Sequence, residues 1–240
     1  MAIQKNIIQT CRDKRQLTRD YVENIENIKN LNAGWKHYLF DDSEVKDFFS
    51  SYFGAREKGL LSKINKNYGV VLADIFRYAF IHKFGGVYLD IKSTTRLNLD
   101  HSLPKDSKFI ISQWRNKLGQ KFCGWGLHTE LIRIPGGEFQ QWHVIAENGH
   151  CFLSYVLEQV FKNIETYDPI ICGVGRLGVL RLSGPICYTL TVYPIIRRYQ
   201  CTVCDAVNLG LHYSIYENMD LSRHAQAPSH YSKLTEPIIN

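Results

Sequence analysis

Residues 70–91 constrain this chain more than any other stretch. VVLADIFRYAFIHKF carries Leu72, Ile75, Phe76, Ala79 and Phe80 at helical spacing, Gly85 and Gly86 stop the helix, and VYLDI then alternates as a strand. Asp74 and Arg77, three apart, share one helical face. On the strand, Val87, Leu89 and Ile91 point one way while Tyr88, Asp90 and Lys92 point the other. The alternation therefore predicts a carboxylate and an ammonium side by side at a strand end, just after a helix presenting a carboxylate and a guanidinium.

The residues before this segment set its context. A buried strand is expected over 3–9, a helix through Leu17, Tyr21, Ile25 and Ile28, and a strand over 35–40. Asp41, Asp42 and Ser43 then cap a helix bearing Val45, Phe48, Phe49 and Tyr52. Strand, helix, strand, helix is the pattern of a parallel sheet with crossover helices, whose ligands bind at the carboxyl ends of the strands. Beyond it the pattern predicts a strand over 109–112, a helix over 151–164, a helix over 185–200 that starts after Ser183, and a last strand over 203–209. The expected fold is α/β, a mixed, mostly parallel sheet flanked by helices in a single domain over 1–240.

Several function classes weaken on composition. The net charge of +6 favours anionic partners, but Lys and Arg are spread along the chain and no nucleic-acid motif accompanies them. Seven cysteines at irregular spacing read as reduced thiols, and the lone Cys201–Cys204 pair as two core thiols rather than a zinc or redox site. No leader-like or membrane-spanning apolar run is apparent, so a cytoplasmic protein is expected. Gly173, Gly175 and Gly178 match the dinucleotide-loop spacing, but no clear strand precedes them.

The segment LADIFRYAFIHKFGGVYLDIK resembles the D-x-x-R-Y … G-G-x-Y-x-D-x-D signature of the DXD-containing glycosyltransferase sugar-binding family, the group of capsular-polysaccharide synthesis proteins and the initiating mannosyltransferase of yeast. IIQTCRDK is similar to that family's opening strand, NAGWKHYLFDDSEVKDFF to its W-containing D-D block, AENGHCFLSYVLEQVFKNI to its later helix, GVLRLSGPICYT to its T-G-P turn, and HYSKL to its His-containing closure. The pieces occur in the family's order over most of the chain.

The resemblance implies a GT-A-like fold. Residues 1–100 would form the nucleotide-sugar half and 101–240 the acceptor side and C-terminal closure. It implies retaining transfer from a UDP- or GDP-sugar to a glycan or polysaccharide acceptor. Asp74 and Arg77 would hold sugar hydroxyls, because a carboxylate accepts from a diol and a guanidinium fork presents fixed donors. Asp90 would reach a Mn²⁺ or Mg²⁺ ion bound mainly together with the donor, with His230 as a second ligand. Gln9, Thr10, Gly85, Gly86, Tyr88, Lys92, Gly184 and Pro185 would complete the donor site, and His212 is a further candidate near the C-terminus. Lys92 departs from the pattern, standing where the family usually has its second Asp. A cation about 5 Å from a divalent ion is opposed by roughly 7 kcal/mol at an effective dielectric of 20. Lys92 must then turn away, contact phosphate, or mark a site without metal. The alternative it raises is a nucleotide-sugar-binding module of the same fold with impaired catalysis.

Overall fold

The computed structural model describes residues 3–216 and 231–240. The first half holds β1 (Asn6–Thr10), α1 (Arg19–Leu31), β2 (Lys36–Phe40), α2 (Asp42–Tyr52), α3 (Ala55–Leu61), α4 (Gly69–Phe84), β3 (Gly86–Leu89), β4 (Thr94–Thr95) and α5 (Leu99–Ser102). The second holds β5 (Phe109–Ile111), β6 (His143–Ala146), α6 (Cys151–Glu165), α7 (Pro169–Cys172), α8 (Gly175–Leu182), α9 (Pro185–Val192), β7 (Thr202–Val203) and β8 (Leu211–His212).

One six-stranded sheet in the order β2-β1-β3-β6-β5-β7 joins both halves. β1 pairs parallel with β2 and β3, and β5 pairs parallel with β7, whereas β6 runs antiparallel between β3 and β5. Five strands therefore end on the same side, and β6 begins there. Alternate residues feed two cores, one on each face. Ile8, Tyr88, Ile111 and Val144 pack with α4, α6 and α9. Ile7, Val87, Leu89, Ile110 and Ile145 pack with Ile28 of α1, Trp35, Leu99 and the aromatic residues Trp114, Phe122 and Trp142.

Local chemistry sets several element ends. Asp41 accepts from the Ser43 and Glu44 amides while Glu44 returns a bond to the Asp41 amide, closing a capping box on α2. At the junction of α4 and β3, Gly85 and Gly86 have φ of 66° and 123°. A side chain at Gly86 would meet the Asn6 carbonyl oxygen at 2.5 Å and the Asn6 Cβ at 2.8 Å, so β1 can lie this close only because the residue is glycine. The C-terminal residues close on the start of α4, with Ile238 buried, the Ile238 carbonyl accepting from the Asn65 amide and the Glu236 carbonyl from the Tyr68 hydroxyl.

The structure corrects four expectations. β6, absent from the sequence reading, occupies a central place in the sheet. The helix expected over 185–200 ends at Val192 and continues as a 3₁₀ turn through Arg198, because Pro194 brings no amide hydrogen to an α-helix. The strand expected over 203–209 is only Thr202–Val203, since Asp205 turns the chain by accepting from the Val207 amide. Gly175–Arg198 is long and apolar enough to cross a membrane, against the expectation of no such run; an 18-residue window within it has a mean hydropathy of 1.3, and half of that window is buried inside the fold.

The two motifs set aside in the sequence prove structural. Cys201 joins one core and Cys204 the other, on opposite faces of the sheet. Gly173 follows α7, not a strand, and a side chain at Gly178 would strike the Gly173 oxygen at 2.5 Å and Ile238 at 2.7 Å.

Candidate active site

Asp90 follows the last residue of β3, at the end of the sheet where five strands terminate. Its amide donates to the Trp142 carbonyl at the start of β6, and its own carbonyl accepts from the Ser93 amide, so the strand becomes a turn at this residue. The turn breaks the alternation that would have set Asp90 beside Lys92. Asp90 stays on the α4 face and meets Arg77 at 3.2 Å, while Lys92 donates to the Tyr213 hydroxyl at 2.6 Å and lies 4.0 Å from the centre of that ring. The Lys92 carbonyl also accepts from the Ile215 amide, tying the segment after β8 to the motif.

Behind Asp90 lies a buried polar network centred on Arg77. Asp74 and Arg77 are only 3% and 5% exposed. Arg77 Nη2 faces Asp74 Oδ1 and Asp90 Oδ1, each at 3.2 Å. Nη1 donates to the Gln141 carbonyl and to Gln141 Oε1, both at 2.6 Å, and Nε donates to the Ala73 carbonyl at 3.4 Å. The whole guanidinium fork is thus engaged within the protein, and it lies 4.6 Å from the centre of the Tyr88 ring. Asp74 accepts from Ser183 Oγ at 2.7 Å, the Ser183 carbonyl accepts from Tyr78, and Tyr78 accepts from Gln141 Nε2. The network links α4, the loop before β6 and the start of α9.

Its electrostatics follow from burial. Desolvation drives the Asp74 carboxyl up to about 6, against the pull of Arg77 and the Ser183 hydroxyl, with Asp90 adding to the rise. For Arg77 burial acts downward, and Tyr88, Asp90 and Asp74 outweigh it and raise the value. Both members of the pair are raised, so the guanidinium shared by two carboxylates keeps its charge and Asp74 is the group that yields a proton-free state reluctantly. Such a pair contributes to geometry more than to stability, because desolvation offsets much of the attraction.

The other candidate residues separate into rim, support and remote positions. Gln9 is buried, donates to the Asp90 carbonyl at 3.3 Å and meets His37 Nε2 at 3.0 Å. Tyr88 is buried too, its hydroxyl 2.8 Å from Thr10 Oγ1 and 3.4 Å from Asp90 Oδ1. These two hold Asp90 in place. Thr10, Asp90 and Lys92 are partly exposed, and the Asp90 side chain keeps 25% of its surface.

Gly85 and Gly86 stand at the opposite end of β3, where they admit Asn6 and Asn148, so the expected donor contact is replaced by a packing role. Gly184 and Pro185 open α9, and a side chain at Gly184 would meet the Leu180 Cα at 2.8 Å, so this turn seats α9 on α8 and presents Ser183 to Asp74. His212 lies opposite Thr94 in the β4–β8 ribbon, and its charged neighbours are Arg96 and Lys121. His230 lies outside the described residues. Gln141 and Tyr213 were not singled out from sequence, and Ser183 was read only as the entry to a helix. Tyr231 joins them, a partly buried phenol pushed up to about 12 by desolvation and by Asp74, with Tyr213 and Asp90 also contributing.

Among the described residues no group of three or more His, Cys, Asp and Glu is arranged to hold an ion. Asp90 offers one carboxylate, already shared with Arg77, to a cation that wants about six oxygen ligands. These residues alone do not fit a divalent ion.

Residues 18–110 match the model of a family described as "Glycosyltransferase sugar-binding region containing DXD motif". The solved structure named "PaToxG Glycosyltransferase" superposes with a TM-score of 0.59 at 15% identity, over 81% of this chain and 70% of that one, a likeness of fold. No curated protein matches the chain in sequence.

Proposed function

We propose, on the match of residues 18–110 to the glycosyltransferase sugar-binding family, that the chain transfers a sugar from a UDP- or GDP-sugar to a glycan acceptor with retention at the anomeric carbon. The observation that carries this reading is the partly exposed Asp90, held at the carboxyl end of β3 by Arg77, Tyr88 and Gln9, in a sheet whose ligands are expected at that end. A carboxylate fixed from behind by buried partners is preorganised, which is what electrostatic catalysis requires.

In this reading the roles divide between rim and support. Asp90 and Thr10 face the donor, and the Lys92 ammonium is the charge that the motif brings toward the diphosphate as it departs with the electron pair of the broken glycosidic bond. Moving there from Tyr213 costs Lys92 one hydrogen bond and one ring contact. Arg77 and Asp74 position Asp90 instead of touching the sugar, since the fork of Arg77 is fully engaged inside the protein. Metal assistance by Mn²⁺ or Mg²⁺ would depend on oxygens that the donor itself supplies.

The test is a thermal-shift titration with UDP-glucose, UDP-galactose, UDP-N-acetylglucosamine and GDP-mannose, each with and without Mn²⁺. A donor at about 100 times its Kd adds about 2.7 kcal/mol, which raises the melting temperature of a chain this size by about 5–10 °C. A flat response to every nucleotide-sugar would refute the assignment. The capture of Lys92 by Tyr213 favours a second reading, a donor-binding module with little turnover. That reading predicts the same shift without release of nucleoside diphosphate.

A further inference from the structure

Residues 112–142 form an excursion that leaves β5 and returns into β6 at the end of the sheet where Asp90 stands, since β5 and β3 run the same way on either side of β6. Within it Glu138 is buried and accepts from Trp114 Nε1 at 2.6 Å, while its second oxygen lies 2.7 Å from His128 Nε2. A carboxylate can only accept here, so Nε2 carries the proton, and in the neutral ring Nδ1 is left as an acceptor. The His128 side chain is 19% exposed, and Glu138 is its hydrogen-bond partner in the protein.

The loop is shaped to hold this dyad. Gly126 has φ of 70°, and a side chain there would meet Glu138 Cγ at 2.6 Å and Trp114 Cδ1 at 2.7 Å. Trp125, just before it, is half-buried against Trp114, Phe122 and Tyr213, with ring centres 5.2, 5.3 and 5.9 Å away. Tyr213 is the residue that holds Lys92, its ring 4.0 Å from the ammonium. The Trp125 ring centre and the Lys92 nitrogen are thus no more than about 10 Å apart. Two further buried polar atoms of the same excursion, Gln140 Oε1 and Trp142 Nε1, have no hydrogen-bond partner.

We infer that Trp125 and His128 form the acceptor subsite and that the acceptor is a saccharide, which deepens and rests on the proposed sugar transfer. A pyranose carries an apolar C–H face and a ring of hydroxyls. The first suits the uncovered surface of a fixed indole, and the second suits an imidazole nitrogen oriented by a buried carboxylate. The path from Trp125 through Tyr213 to Lys92, no more than about 10 Å, leaves such a ring on the Lys92 side of the proposed donor site. His128 is here a binding residue for the acceptor hydroxyl, with Glu138 positioning it.

Saturation-transfer NMR with the methyl α- and β-glycosides of glucose, galactose, mannose and N-acetylglucosamine tests this without donor present. At least one glycoside should bind wild type, with binding reduced about tenfold or more by Trp125→Ala, partly restored by Trp125→Phe, and weakened several-fold by His128→Gln, in line with loss of one ring contact or one hydrogen bond. Leu127→Ala, an exposed neighbour, should bind as wild type does. Melting curves confirm that each variant is folded. No binding of any glycoside to wild type, or equal binding by folded Trp125→Ala and His128→Gln, overturns the inference. A nucleotide-sugar titration on the same wild-type sample separates the two readings: donor bound without glycoside refutes the acceptor subsite alone, and no donor bound refutes the proposed transfer.

Discussion

Arg77→Met removes the cation that faces both Asp74 and Asp90 while keeping an apolar stem of similar length. Asp74, 3% exposed and already pushed up to about 6 from 3.8, would lose its principal counter-charge while the Ser183 hydroxyl still donates to it. In wild type that displacement corresponds to about 3 kcal/mol of unfavourable charge burial at neutral pH. Leaving one partner of a buried pair alone costs about 3–5 kcal/mol, and for a chain of this size that is a fall in melting temperature of about 6–20 °C at pH 7.

The sign of the pH dependence is specific. A carboxyl with a raised folded value gives stability fully present below its unfolded value and lost as pH rises through the folded one. The variant should therefore be least impaired near pH 4–5, where Asp74 takes up a proton, and most impaired near pH 8. Arg77→Met with Asp74→Asn should lose that slope and recover part of the stability. Differential scanning calorimetry of wild type and both variants between pH 4.5 and pH 8 measures all of this. A variant melting within about 1 °C of wild type at pH 7, or one that weakens more at low pH than at high, would show that the network is not held by this charge.

Lys92→Asp should strengthen Mn²⁺ binding in the absence of donor by removing a repulsion and adding a ligand, while wild type should bind the ion weakly alone and better with UDP; calorimetric titration with and without UDP distinguishes these. Gly86→Ala should destabilise the fold by more than about 1 kcal/mol, through its positive φ and its clash with Asn6, yet leave donor affinity of the folded protein within twofold, which denaturant melts and calorimetry measure separately. His143 and His37 are held neutral by burial, with values near 3 and near 4, so each gives stability present above about 6.5 that is lost as pH falls toward those values. His143→Gln should flatten the acid limb of a pH–stability curve, and an unchanged limb would contradict the neutral assignment.

Much of the frame was legible because the early elements are long and periodic. Asp41, Asp42 and Ser43 announce the start of α2 as capping residues, and Gly85–Gly86 mark the change from α4 to β3. β6 was not legible, because its four residues are buried on both faces and show no alternation. The state of Asp74 and Arg77 was half legible. Their spacing allowed a surface pair, but Val71, Ile75, Tyr78 and Ile81 place apolar side chains around most of α4, and a helix apolar on all sides is a buried one. The partners that define the network could not be read locally, since Ser183 and Gln141 come from 109 and 64 residues away. Strand alternation misplaced Lys92 because the chain turns at Asp90, a turn fixed by the Trp142 carbonyl of an unforeseen strand.

The central claim is that Asp90 is a preorganised catalytic carboxylate at a donor site. It is tested most directly by nucleoside diphosphate release from the nucleotide-sugar that gives the largest thermal shift, compared between wild type and Asp90→Asn. The account predicts steady release by wild type and about 100-fold less by the variant, the effect of losing one preorganised electrostatic contact, with melting temperatures within a few degrees of each other. Equal rates in the two folded proteins, or no release from any donor by wild type, would contradict it.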